Sequence, residues 1–264
     1  MHVVFLLAAC ASILAVILIC AFLFVNGIPT IGKIGLGNFV LGKIWMPKSG
    51  IFGIFPMIIG SIYVTAGAIL VGVPVGILAA IYMAKFCNEK VYKIVKPAVD
   101  LLAGIPSVVY GFIGLQVVVP FVRFIFGGTG FGILSGTFVL FVMILPTVTF
   151  MTTDALRAVP RHYREASLAM GATRWQTIWR VTLNAAKPGI FTAVIFGMAR
   201  AFGEALAVQM VVGNSAVIPT SLTTPAATLT SVLTMGIGNT VMGTVSNNVL
   251  WSLALVLLLM SLGF

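Results

Sequence analysis

The chain has 264 residues, of which 60% are hydrophobic and 8% charged, and its mean hydropathy is +1.18. This composition excludes a water-soluble globule and indicates a bilayer as the solvent. The net charge of +10 does not indicate nucleic-acid binding, because the Lys and Arg residues lie in short segments between apolar stretches. We therefore expect membrane lipid, and no nucleic acid, among the binding partners.

Several apolar stretches approach or exceed the roughly 20 residues that a helix needs to cross a hydrocarbon core about 30 Å thick. Six spans are predicted, over residues 3–25, 55–83, 99–122, 133–151, 189–212 and 248–264. The alternation typical of a transmembrane β-barrel is absent. The sequence thus predicts an all-α, polytopic membrane protein in which residues 1–264 form a single transmembrane domain.

The basic residues are distributed unevenly between the two sides of the predicted membrane. Ten cations lie in the two segments on one side: Lys85, Lys90, Lys93, Lys96, Arg157, Arg161, Arg164, Arg174, Arg180 and Lys187. The opposite segments hold only four, and residues 213–247 carry no charge. Because Lys and Arg mark cytoplasmic loops, both termini are predicted to be cytoplasmic. The uncharged segment is interpreted as a periplasmic gate, a contact for a binding protein, or a polar loop around helical turns.

The second and third predicted spans are rich in small residues and helix breakers. Gly72 and Gly76 are four residues apart on one helix face, which allows two backbones to approach closely. Pro74 and Pro106 leave backbone carbonyls without their helical partners, and these are then satisfied by neighbouring groups or water. Two interpretations follow: ordinary packing of a helix bundle, or kinked helices that open and close a pathway.

The basic segment 156–188 carries the start and stop signals of a short helix. Pro160 is suited to the helix start, and a helix is predicted over residues 161–170. Gly171 follows it and adopts the left-handed conformation at a helix C-terminus without a Cβ penalty. Ala166 and Ser167 leave part of this surface without bulky side chains, as expected of a segment that fits a groove in another protein.

A second helix is predicted directly after this turn. Thr173 and Gln176 form a T-x-x-Q capping box, and apolar or large residues follow at spacings of three and four along one face: Trp175, Ile178, Trp179 and Thr182. The segment 156–188 thus predicts a helix, a turn and a helix. Tryptophans and arginines also suit an amphipathic loop that lies on anionic lipid, so this alternative stays open.

Arg200 and Glu204 are the two charges that lie well inside a predicted span. On a continuous helix their spacing of four places them on one face. A lone Arg in a bilayer costs at least about 2.5–3.5 kcal/mol on insertion scales, so a partner or an aqueous cavity is expected. The Arg200 guanidinium has the forked donors that match an oxyanion, and Glu204 is positioned to weaken that binding. The alternative is an ion pair that only locks helices together.

The sequence contains no pattern for catalysis, a metal or a cofactor. Cys10, Cys20 and Cys87 show no C-x-x-C spacing, and His162 has no second ligand at metal spacing. The G-x-x-x-x-G-K-[ST] loop of ATPases is also missing. We therefore expect no enzyme activity, no cofactor and no metal, and energy must come from another subunit.

A family resemblance rests on the basic segment. Glu165, Ala166 and Ser167, three further residues, Gly171, nine further residues and then 181–183 resemble the EAA signature of ABC importer permeases, usually E-A-A-x3-G-x9-I-x-L-P. The sequence departs from it at Ser167 for Ala, Val181 for Ile and Asn184 for Pro. The loss of the proline leaves the exit of the loop without its usual helix breaker.

Three further stretches, residues 60–77, 103–115 and 198–214, look like the phosphate-specific permeases, and residues 26–56 make the chain more similar to the PstC type than to the PstA type. The resemblance covers nearly the whole chain. The charged N-terminal stretch and the basic tail usual in these proteins are missing, and we expect the transport core to be unaffected.

The resemblance implies a type I ABC importer permease-like fold with coupling helices between spans 4 and 5, in a bacterial or archaeal cytoplasmic membrane. It implies that Glu165, Ala166, Ser167 and Gly171 dock on an ATP-binding subunit dimer. Further partners implied are a second, PstA-like permease subunit and an extracytoplasmic phosphate-binding protein, with inorganic phosphate moved by alternating access. Two rivals stay open: a permease for sulfate or molybdate, and a gradient-driven secondary carrier.

Overall fold

The computed structural model describes residues 2–263, and within them six helical stretches are long and apolar enough to cross a membrane. They are Val3–Ile34, Phe55–Phe86, Ser107–Phe126, Ile133–Ala158, Arg174–Gly203 and Val245–Gly263. The predicted all-α class and the predicted number of spans are confirmed. Phe264, which ends the sixth predicted span, lies outside the described residues.

Among residues 2–263 the secondary structure is mostly helical, with one two-stranded hairpin. In chain order the elements are α1 (His2–Ile34), α2 (Leu36–Leu41), β1 (Trp45–Met46), β2 (Ile51–Phe52), α3 (Phe55–Ile81), α4 (Glu89–Gly104), α5 (Ser107–Ile113), α6 (Val119–Phe126), α7 (Ile133–Ala158), α8 (Arg161–Ala169), α9 (Arg174–Gln176), α10 (Leu183–Gly203), α11 (Leu206–Val211), α12 (Leu229–Ile237) and α13 (Val245–Gly263). Three wider π-helical segments, Tyr82–Phe86, Gly114–Val118 and Thr177–Thr182, each follow a helix directly.

The chain forms two compact units, the first comprising Met1–Ser61, Gly213–Ser221 and Pro225–Phe264. Its core is apolar and is built from Phe39, Phe52, Ile54, Met57, Ala227, Leu229, Val249 and Leu253. The hydroxyl of Ser61 accepts the backbone N–H of Leu229 at 2.9 Å, where α12 begins. Part of the uncharged segment 213–247 is therefore helical. The single domain over residues 1–264 stays a prediction.

The second compact unit comprises Ile62–Val212 and Leu222–Thr224. Here α7 packs along α10, and α11 packs on α5. Two apolar clusters form its core: one around Tyr110, Met143 and Val211, the other around Leu156 and Ile178. Both sequence segments proposed to carry function, the one around α8 and the one around Arg200, belong to this unit.

The first span is longer than predicted, because its helix continues through polar residues to Ile34 instead of ending near residue 25. The side-chain amide of Asn26 donates to the carbonyl of Phe22 at 2.9 Å, and the Thr30 hydroxyl donates to the carbonyl of Asn26 at 3.2 Å. These side chains satisfy their hydrogen bonds within the helix itself, so they do not end it.

The predicted third span over 99–122 is wrong at its start, because two non-helical residues interrupt the helix there. α4 ends at Gly104, and Ile105 and Pro106 both have extended ψ angles, 129° and 139°. Proline has no N–H and disfavours helical geometry at the residue before it. Pro106 therefore separates two helices instead of kinking one, and the apolar span begins at Ser107.

The predicted fifth span over 189–212 is shifted. Its helical stretch begins at Arg174 and ends at Gly203, since Glu204 is extended with φ −72° and ψ 125°. The chain re-enters a helix only at Leu206. Hydropathy is high on both sides of Glu204, so a hydropathy average over this region does not reveal that the helix ends there.

Candidate functional site

The turn after α8 has the geometry predicted for it. Gly171 has φ +82°, its N–H donates to the carbonyl of Leu168 at 3.0 Å, and the N–H of Ala172 donates to the carbonyl of Ser167 at 3.2 Å. This pair of bonds is a Schellman motif, which satisfies the last carbonyls of a helix. The predicted end of the first helix is confirmed within one residue.

The second helix begins at the predicted capping box. The Thr173 hydroxyl accepts the N–H of Gln176 at 3.2 Å, and the Gln176 side chain accepts the N–H of Thr173 at 2.9 Å. This prediction is confirmed. The helix then continues through the π segment Thr177–Thr182 into α10. Asn184 lies inside this continuous helix, so the helix is not interrupted where the family pattern places proline.

The predicted stripe on the second helix is divided between two environments. Ile178 and Thr182 are buried, whereas the Trp175 and Trp179 side chains remain exposed, with ring centroids 5.5 Å apart. A π segment adds residues to each turn, so a spacing of three and four does not hold all four residues on one buried face. Thr177, which the stripe omits, is buried.

The four residues predicted to dock on an ATPase lie on α8 and its turn. Glu165, Ala166 and Gly171 are exposed, and Ser167 is partly buried. No heavy atom lies within 4 Å of the position that a Gly171 Cβ would occupy, so this surface is open. The Ser167 hydroxyl lies 3.0 Å from the Thr177 hydroxyl, which joins α8 to the helix after the turn.

Arg200 and Glu204 do not share one helix face, because α10 ends between them at Gly203. An Arg200 guanidinium nitrogen donates to the Thr147 hydroxyl of α7 at 3.2 Å. The Glu204 carboxylate accepts the backbone N–H of Ala207 at 3.1 Å, in the first turn of α11. A carboxylate is favoured there by the helix dipole, so Glu204 stabilises the break that the hydropathy pattern did not reveal.

Thr147 is a site residue that sequence reasoning missed. It contacts Arg200 and also lines a cavity of about 250 Å³ together with Asp100, Pro146 and Phe150. The sequence feature that could have identified Thr147 is a hydroxyl directly after a proline within an apolar span, where a polar group requires a hydrogen-bond partner. The lining of this cavity is mostly apolar, and its polar side chains are those of Thr147 and Asp100.

The glycines of the second span face α7 closely. A Cβ at Gly72 would lie 2.6 Å from Ile144 Cδ1, and one at Gly76 would lie 2.9 Å from Val148 Cγ1. The Thr149 hydroxyl donates to the Gly76 carbonyl at 3.4 Å. Pro74 lies two residues after Gly72 inside α3. A larger side chain at either glycine would require the facing side chain to shift, as expected of helices packed through small residues.

Residues 72–264 match the protein family described as binding-protein-dependent transport system inner membrane component. The Bacillus subtilis protein named probable ABC transporter permease protein YqgH is 48% identical, over 98% of this chain and 86% of that protein. The Mesorhizobium japonicum phosphate transport system permease protein PstC is 34% identical, over 74% of this chain and 66% of that protein. A probable PstC of Methanocaldococcus jannaschii is 29% identical, over 93% and 84%.

Among solved structures, the fold is similar to the MetNI methionine ABC transporter in its inward-facing conformations. One such chain has a TM-score of 0.56 and 26% identity, with 83% of this chain and 95% of that chain covered. The type I importer architecture thus accords with the sequence relatives. The chain belongs to the binding-protein-dependent transport system inner membrane components, as a PstC-type permease of an ABC importer.

Proposed function

We propose that this chain is a permease subunit that moves inorganic phosphate into the cell by alternating access, driven by ATP hydrolysis on a partner. The proposal includes a PstA-like second permease, an ATP-binding subunit dimer and an extracytoplasmic phosphate-binding protein. Both termini would be cytoplasmic. The observation that carries the proposal is the exposed α8, closed by the turn at Gly171 and followed by the capping box of the next helix, in a chain related to proteins named as phosphate permeases.

The rigidity of the α8 turn supports its role as a coupling element. The Schellman motif, the capping box and the bond from Ser167 to Thr177 fix α8 on the helix that becomes the fifth span. A push on Glu165 or Ala166 by an ATPase subunit is therefore transmitted to α10. Arg200 lies near the far end of the same helix, beside Thr147.

Arg200 is proposed to face the translocation pathway, with Thr147 as a second polar group for the anion. A guanidinium offers planar, forked donors that match the oxygens of phosphate, and it keeps its charge at every physiological pH. Glu204, placed just beyond the end of α10, contributes negative potential that favours release.

The test is uptake of labelled phosphate into proteoliposomes that hold the assembled transporter, with sulfate or molybdate as competitor. Loss of one charged contact should lower the catalytic efficiency of uptake for Arg200→Gln by about tenfold or more. Arg180→Gln, also an exchange on the helical stretch Arg174–Gly203, is the matched control and should leave uptake unchanged. Full uptake by an intact Arg200→Gln transporter would exclude the pathway role, and equal competition by sulfate would exclude phosphate selectivity.

A further inference from the structure

A second charged cavity lies next to α8, apart from Arg200 and its neighbours. It has a volume of about 550 Å³ and is lined by four cations and one carboxylate: Lys85, Arg157, Arg161, Arg164 and Glu89. We call it the basic basin. Its charged lining carries a net charge of +3. The positive-inside pattern explains why cations lie on this side, but not why they converge on one cavity.

Two of these cations are held in place by specific contacts. The Lys85 ammonium donates to the carbonyl of Leu156 at 3.0 Å. The Arg157 guanidinium carbon lies 3.6 Å from the centroid of the Tyr92 ring, in a cation–π contact. These two charges therefore do not move apart freely to relieve their mutual repulsion. An anion between them lowers the electrostatic energy of the whole cluster.

The other two cations come from α8 itself. Arg161 and Arg164 are three residues apart, a spacing that places them on neighbouring positions of one helix face. Arg164 also lines an adjoining cavity of about 270 Å³ together with Lys85 and Arg174. One guanidinium group can donate two parallel hydrogen bonds to the oxygens of a phosphate. Several guanidinium groups around one cavity are therefore typical of phosphate-group recognition.

We propose that the basic basin is a binding site for a phosphate-type oxyanion, either free inorganic phosphate or the headgroup of an anionic lipid. The volume falls in the range of about 300–1,000 Å³ that is usual for small-ligand sites. The basin is lined by residues of α8, of the end of α7 and of the Tyr82–Phe86 segment. A bound anion therefore stabilises the position of α8 against these two segments. The assignment does not depend on the transported substrate.

The experiment uses the assembled transporter in which the three cysteines of this chain are replaced by serine. This chain carries a trifluoromethyl label at Lys90→Cys, and it is labelled before assembly with the partner subunits. Lys90 is exposed and adjacent to Glu89, which lines the basin. The fluorine resonance of a label at position 90 therefore reports on the basin and not on Arg200. Sodium phosphate is titrated in detergent at constant ionic strength against sodium chloride. We expect a saturable shift, with a midpoint raised about tenfold or more by the pair Arg161→Gln and Arg164→Gln.

Two further variants separate binding from folding. Arg164→Lys keeps the charge but loses the fork, and its midpoint should lie between those of the wild type and the Gln pair. Arg180→Gln changes a cation of the same basic segment outside the basin and should leave the midpoint unchanged. A response to chloride as large as that to phosphate would overturn the proposal. So would the absence of a saturable shift under both detergent and lipid conditions, or an equal effect of Arg180→Gln.

The same label distinguishes the two sources of the anion in nanodiscs without added phosphate. If phosphatidylglycerol, but not phosphatidylcholine, moves the resonance to its phosphate-saturated position, the basin binds a lipid headgroup. If neither lipid moves it and phosphate does, the ligand is free phosphate. Either result supports an oxyanion site.

Discussion

Gly171 shows how much of the α8 turn depends on one residue. Its φ of +82° lies in the left-handed region, while the space around its missing side chain is empty. A larger residue at this position is therefore disfavoured by the left-handed backbone conformation and not by a clash of its side chain with neighbouring atoms. A left-handed residue with a Cβ costs roughly 1–2 kcal/mol, which corresponds to about a fivefold to thirtyfold change in the population of this turn.

We predict that Gly171→Ala lowers phosphate-stimulated ATP hydrolysis of the reconstituted transporter several-fold, because the turn that holds α8 becomes less populated. Gly104→Ala is the matched control, since Gly104 also has open space around it but no left-handed φ. The rate of ATP hydrolysis with and without phosphate is the measurement. Unchanged stimulation in Gly171→Ala would contradict the role of this turn in coupling.

At the scale of elements, α8 is attached to the fifth span by a side-chain bond as well as by the turn. Ser167 lies 3.0 Å from the buried hydroxyl of Thr177, and the family pattern usually has alanine at the Ser167 position. Ser167→Ala removes this bond at a net cost of about 1 kcal/mol. Amide hydrogen exchange in α8 should then become about fivefold faster.

Two variants control this prediction. Thr177→Val should have a similar effect, and combining it with Ser167→Ala should add little, because the two hydroxyls share one interaction. Ser12→Ala, which loses only an exposed bond to the carbonyl of Ala8, should leave α8 unaffected. Fully additive effects of the two substitutions would show that Ser167 and Thr177 act independently.

The helix ends and turns differ in how well the sequence predicts them. Local signals predict the helix start after Pro160, the turn at Gly171 and the box of Thr173 with Gln176, because each depends on neighbouring residues alone. Hydropathy does not predict the non-helical residues at Pro106 and Glu204, because a hydropathy window averages over a short interruption of a helix. The contacts of Arg200 with Thr147 and of Lys85 with Leu156 join residues distant in sequence, so spacing does not predict them.

For the whole molecule, we propose that ATP hydrolysis on a partner subunit, and not an ion gradient, drives phosphate through this permease. The exposed α8, which we propose as the coupling segment, adjoins one end of a long helical stretch, and Arg200 lies near the other end. In the proposed transport cycle, α8 is moved by another protein. The same arrangement predicts that the permease alone does not transport.

The most direct test is ATP-dependent uptake of labelled phosphate into proteoliposomes that contain both permeases, the ATPase pair and the binding protein. We predict uptake against a phosphate gradient when ATP is supplied on the ATPase side. Uptake should stop when the ATPase pair is omitted or cannot hydrolyse ATP, whatever ion gradient is imposed. Gradient-driven phosphate uptake that persists without the ATPase pair would contradict the account.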